Sequence, residues 1–82
     1  MNNEPISTKE AFLELSKICE EQEAMLETKF YGDSGMHLVA IKCGTKRDKK
    51  EGSGFQFRQS GDSLNYCVNS VLSRTKEFLN LI

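Results

Sequence analysis

The stretch that most constrains the fold is Met36–Cys43, MHLVAIKC. A strand's period of two puts His37, Val39, Ile41 and Cys43 on one face and Met36, Leu38, Ala40 and Lys42 on the other. Both sets are mostly apolar. A strand with one solvated face would alternate apolar with polar, so this one reads as the central strand of a sheet, or as a strand with one face against a partner. Gly32-Asp33-Ser34-Gly35 precedes it and has the composition of a tight turn.

The flanking segments complete a small sheet. Leu26–Tyr31 alternates Leu26, Thr28 and Phe30 with Glu27, Lys29 and Tyr31, the pattern of a half-buried strand. Gly54–Gln59 alternates Phe55 and Phe57 with Gln56 and Arg58. The connection between the second and third strands, Gly44–Ser53, reads GTKRDKKEGS. That is long for a hairpin in a domain this small, and it predicts a mobile basic loop of the kind that carries function.

Helices bracket the sheet. Ser7-Thr8-Lys9-Glu10 has capping-box spacing, in which the serine hydroxyl accepts from the third helical amide and the glutamate reaches back. Behind it Ala11, Phe12, Leu15, Ile18, Cys19, Met25 and Leu26 fall at spacings of three and four, and the helix is expected to give way near 24–26. At the other end Ser60-Gly61-Asp62-Ser63 supplies a turn and an N-cap. A second helix over 63–80 then carries Leu64, Cys67, Val68, Val71, Leu72, Phe78 and Leu79 on its apolar stripe. The predicted class is α+β, a single domain of helix, three-stranded antiparallel sheet and helix over 1–82. Residues 1–6 are expected to fray, and both helices to cover one face of the sheet. The other face, bearing Gln56 and Arg58, is left for water, nucleic acid or a second copy.

Several function classes are disfavoured. Of the 82 residues, 38% are hydrophobic and 28% charged, which is a folding composition, and no apolar run approaches a membrane span. MNNEPISTKEAF lacks the basic head and apolar run of a signal peptide. Cys19, Cys43 and Cys67 are odd in number and far apart, fitting neither a disulfide framework nor a metal site. The expectation is a cytoplasmic chain with three reduced, packed thiols. The single histidine, His37, stands on a strand with no nucleophile near it in sequence, and Gly52 and Gly54 precede a strand instead of the helix that a phosphate loop requires. No catalytic residue, metal or cofactor is predicted, and the chain is not expected to be an enzyme.

What remains is charge. Lys42–Arg58 holds six bases and two acids, about +4, in a chain of net charge −1. Lys9–Lys29 holds six acids and three bases, about −3, mostly on the outer face of the first helix. The candidate binding residues are Lys46, Arg47, Lys49, Lys50 and Arg58.

Two short resemblances bear on nucleic acid. EGSGFQFR resembles the aromatic RNA-contacting strand of the RRM family, which implies Phe55 and Phe57 as rings that stack on bases. An RRM begins and ends with strands, however, and this chain begins and ends with helices. The order helix, three strands, helix, together with Asp33-Ser34-Gly35-Met36-His37, is similar to the double-stranded RNA-binding domains. That family grips phosphate with a lysine pair opening its last helix. The stretch here is GDSLNYC, where the carboxylate of Asp62 would repel a phosphate. No family membership is assigned.

The expected function is therefore a small protein-interaction module acting by occupying a surface of a larger protein. Inhibitors and adaptors encoded by phages and mobile elements offer the analogy of size. Its expected partners are that larger protein and a second copy, as a homodimer. The alternative is a nucleic-acid- or nucleotide-binding domain using loop 44–53 and strand 54–59.

Overall fold

The computed structural model describes residues 5–44 and 54–80. Five elements follow in order: α1 (Thr8–Gln22), β1 (Met25–Tyr31), β2 (Met36–Cys43), β3 (Phe55–Gly61) and α2 (Leu64–Leu79). The strands form one antiparallel sheet with β2 in the middle, the position read from its two apolar faces.

Local chemistry sets the boundaries. Ser7 caps α1 by accepting from the Glu10 amide at 3.1 Å. The return half of the predicted capping box differs, with the Glu10 carboxylate accepting from the Ser7 hydroxyl at 3.3 Å. The helix ends slightly before the predicted region: Glu23 adopts φ 58° and ψ 44°, and the amide of Ala24 closes onto the carbonyl of Cys19 at 2.9 Å. Met25, which the helical spacing placed on the apolar stripe, consequently belongs to β1 and is exposed. In the β1–β2 turn the Tyr31 carbonyl accepts from Ser34 and Gly35, and Gly35 takes the positive φ of 71° that closes the hairpin. Ser63 caps α2 by accepting from Tyr66 at 3.2 Å, and Asn80 ends it in the left-handed region.

Both helices lie on one face of the sheet. Ala11, Leu15 and Ile18 of α1 meet Cys67, Val68, Val71 and Leu72 of α2 over Val39 and Ile41 of β2. Leu15, Val39, Ile41, Val68 and Val71 are fully buried, each contributing about 1.5–3 kcal/mol relative to exposure. Phe55 and Phe57 turn to this same side, and with Phe78 form a ring cluster with centroids 5.1–5.9 Å apart. Thr75 is the one buried polar side chain among the described residues; its hydroxyl donates to the Val71 carbonyl at 2.7 Å.

The cover is uneven. α2 lies along β3 and β2, whereas α1 packs mainly on α2 and reaches β1 sparingly. Of the residues that β1 turns to the helix side, Leu26 is half-buried while Thr28 and Phe30 are exposed. The predicted half-buried strand is thus half-buried at one end only.

Hydrogen bonds join the two helices at their N-terminal ends. Ile6 donates its amide to Asn69 Oδ1, and its carbonyl accepts from the side-chain amides of Asn65 and Asn69, each at 3.0 Å. Asn65 also donates to the Thr8 hydroxyl. Ile6, assigned to the fraying end on sequence, is therefore tied down; residues 1–4 lie outside the described residues. Farther along, Lys76 pairs with Glu14 at 2.8 Å.

Candidate interaction surface

The face of the sheet opposite the helices is set by strand alternation. It takes Met25, Glu27, Lys29 and Tyr31 from β1, Met36, Leu38, Ala40 and Lys42 from β2, and Gln56, Arg58 and Ser60 from β3. Register arranges them in rows across the sheet. Lys42 lies between Met25 and Gln56, Ala40 between Glu27 and Arg58, and Leu38 between Lys29 and Ser60, while Met36 faces Tyr31.

The rows explain an otherwise odd burial. Ala40 stands on the uncovered face and is only 7% exposed. Its short side chain lies between two long ones, whose aliphatic stems can cover it while their charged ends stay in water. Around it the face carries three cations, Lys29, Lys42 and Arg58, against the single anion Glu27, a local charge of +2. Glu27 and Lys29 pair with each other at 3.6 Å; both are half exposed, so the pair adds little stability. Met25 and Tyr31 are exposed and Met36 and Leu38 half-buried. The result is a sheet face on which exposed apolar side chains and bases are interspersed.

Arg58 is the predicted binding residue that the structure places, and it stands exposed in this patch. Lys46, Arg47, Lys49 and Lys50 lie outside the described residues, as does all of the predicted mobile loop 44–53 but Gly44. The ends of β2 and β3 that flank it in sequence lie at the edge of the patch marked by Lys42 and Gln56. The stacking role that the RRM resemblance implies for Phe55 and Phe57 is not what their placement offers, since both face the helices and pack on the core. At the start of α2, Asp62 is exposed and the first turn contains no base.

The other singled-out residues have structural partners. The ring of His37 lies 4.8 Å from that of Phe30. Cys67 donates its thiol to the His37 carbonyl at 3.8 Å, and Cys43 to the Gln22 carbonyl at 3.3 Å, so the two thiols tie α2 and the end of α1 to β2. Burial pushes the titration of both Cys19 and Cys67 above the ordinary thiol value of 9.0, with smaller contributions from Cys43 beside Cys19 and from Asp62 beside Cys67. Neutral, buried thiols of this kind are poor nucleophiles. Among the described residues no group of three or more His, Cys, Asp and Glu is placed to hold a metal ion. No helix described is long and apolar enough to cross a membrane.

Sequence reasoning missed the coverage of Ala40 and the Asn65–Asn69 clamp. The first needs the register; the second has no spacing signature, because its partner is a backbone some 60 positions away. Compared with protein-family models, curated proteins and solved structures, the chain gives no match.

Proposed function

We propose that this chain is a protein-interaction module whose uncovered sheet face docks on an acidic surface of a larger protein, as a small inhibitor or adaptor does. One observation carries the reading: Met25, Tyr31, Met36 and Leu38 are laid out on a rigid sheet among Lys29, Lys42 and Arg58. Tyr, Met and Arg side chains grouped on one face are residue types enriched at protein interfaces. The cations would give orientation and rate of encounter, and the exposed apolar side chains the affinity. The acidic outer face of α1, with Glu10, Glu20 and Glu21 exposed, lies on the other side of the molecule and would steer the same partner away from the helices.

The test is affinity capture from the lysate of the host cell with wild type and with a Lys42→Glu/Arg58→Glu variant. A stoichiometric protein retained by the wild type and lost by the variant is expected. Failure of both to retain one, or equal retention, sinks the reading. The alternative, nucleic-acid binding, draws on the same cations. It is checked with single- and double-stranded oligonucleotides at low and moderate salt, where phosphate contacts would give affinity that falls steeply as salt rises.

A further inference from the structure

The two edges of the sheet are not alike. On β3 two outward carbonyls have side-chain donors: Arg74 donates to the carbonyl of Arg58 at 3.5 Å, and Gln59 Nε2 donates to that of Ser60 at 3.0 Å. Arg74 also holds Gln59 Oε1 at 3.1 Å, bracing the arrangement. Carbonyls turned away from β2 mark Arg58 and Ser60 as the pairs that do not exchange backbone hydrogen bonds with Ala40 and Leu38. Alternation along β2 then turns Ala40 and Leu38 toward Glu27 and Lys29 of β1. The backbone N–H and C=O groups of Leu26, Thr28 and Phe30 are left pointing outward. Among the described residues no strand pairs with them. Among the described residues β1 is thus an open edge with no inward charge, proline or covering segment to blunt it.

The side chains of this edge are self-complementary. About Thr28 the strand reads Leu26-Glu27-Thr28-Lys29-Phe30. Laid antiparallel on a copy of itself with the two-fold axis at Thr28, it sets Glu27 opposite Lys29 of the second copy, and Lys29 opposite its Glu27. On the helix side Leu26 meets Phe30 of the copy, and the two Thr28 side chains meet each other. Met25 meets Tyr31 on the far side. Moving the axis to Glu27 or to Lys29 sets like charges face to face, which directly opposed strands do not tolerate well. In the Thr28 register the outward groups of Leu26, Thr28 and Phe30 face their counterparts, and the strand overlaps over its whole length.

We propose that the chain forms a two-fold dimer through β1, joining the two three-stranded sheets into one with all four helices on the same face. The dimer accounts for the exposure of Thr28 and of Phe30, which is 61% exposed in the single chain although it points to the helix side. α1 reaches β1 sparingly, and in the dimer Leu26 of the second copy lies against Phe30 and its Thr28 against Thr28 on that side. The proposal goes beyond the docking of the open face, with which it shares Met25, Lys29 and Tyr31; its own test varies Glu27 and Lys29, and the capture experiment varies Lys42 and Arg58.

Charge exchange tests it. Light scattering on the full chain at micromolar concentrations should report twice the 9.3 kDa chain mass. Glu27→Lys alone and Lys29→Glu alone should each weaken association about tenfold or more, because each makes both symmetry-related pairs repulsive. The double exchange should restore the dimer. So should mixing the two single variants, since one then supplies only lysines at these positions and the other only glutamates; native mass spectrometry would show the mixed dimer. Both residues are exposed, and unchanged far-UV circular dichroism would confirm folding. A wild type of single-chain mass throughout, single reversals that stay dimeric, or an exchange and a mixture that both fail to re-associate would each overturn the proposal.

Discussion

Replacing Asn69 tests how the chain secures its N-terminal end. Asn69 makes three hydrogen bonds: its Oδ1 accepts from the amide of Ile6, and its Nδ2 donates to the carbonyls of Ile6 and Asn65, each at 3.0 Å. A net contribution of about 0.5–1.5 kcal/mol per bond sets an upper range of about 1.5–4.5 kcal/mol. The site is only half-buried, so water can replace some of these bonds in the variant. Asn69→Ala should therefore cost about 1.5–3 kcal/mol, a large share of the roughly 4–12 kcal/mol available to a chain of this size. Asn69→Asp keeps the shape and the acceptor for Ile6 but turns an oxygen toward two carbonyls. At neutral pH it should cost at least as much as alanine. Those carbonyls and burial hold the new carboxyl's folded pKa above its unfolded value of about 4. Its protonated form, which can donate, is then favoured in the folded state; relative stability is greatest below that unfolded value and is lost as pH rises through the folded one. Urea unfolding at pH 4 and pH 7 reads both effects as shifts in midpoint at constant slope. A cost below about 0.5 kcal/mol for alanine, or an aspartate variant insensitive to pH, would refute the clamp.

Three further outcomes follow from the packing. Phe57→Ala opens the ring cluster with Phe55 and Phe78 and should cost about 2–4 kcal/mol in urea unfolding, less than for a fully buried ring. If the protein binds oligonucleotides, that binding should survive the change, and selective loss of binding with stability intact would return Phe57 to a stacking role. The raised thiols of Cys19 and Cys67 bind their protons more tightly when folded, so their stabilising effect is full below pH 9.0 and is lost as pH rises through the folded values. Urea midpoints should fall from pH 8 into the alkaline range, and Cys67→Ala should flatten that fall; an unchanged slope would count against it. Glu14 and Lys76 are both partly exposed, so Lys76→Ala should cost under about 1 kcal/mol, an effect shrinking in high salt.

The order of elements was legible in the sequence because each element carries a local signal. The period-two runs, the Gly32–Gly35 turn and the serine caps at Ser7 and Ser63 act within a few residues of one another, and β2 spans Met36–Cys43 as predicted. The central position of β2 was read from its two apolar faces, although the helices cover only one of them, and both helices lying on one side followed from two stripes needing one core.

What each surface became was decided only in three dimensions. Phe55 and Phe57 fit a stacking strand and a core strand equally well on paper, and α2 settled the matter by placing Phe78 against them. Thr28 and Phe30 have the alternation of a covered strand, yet α1 leans on α2 and leaves them bare. Arg58, one base of a charged run in the sequence, acquires Ala40, Glu27, Lys29 and Lys42 as neighbours on one face through register alone. The same holds for the edges: Arg74 donates to a carbonyl on the edge of β3 from a different element, and among the described residues no strand pairs with the edge of β1. Local spacing determines which residues can share a face, but whether that face is covered depends on where a distant helix comes to rest.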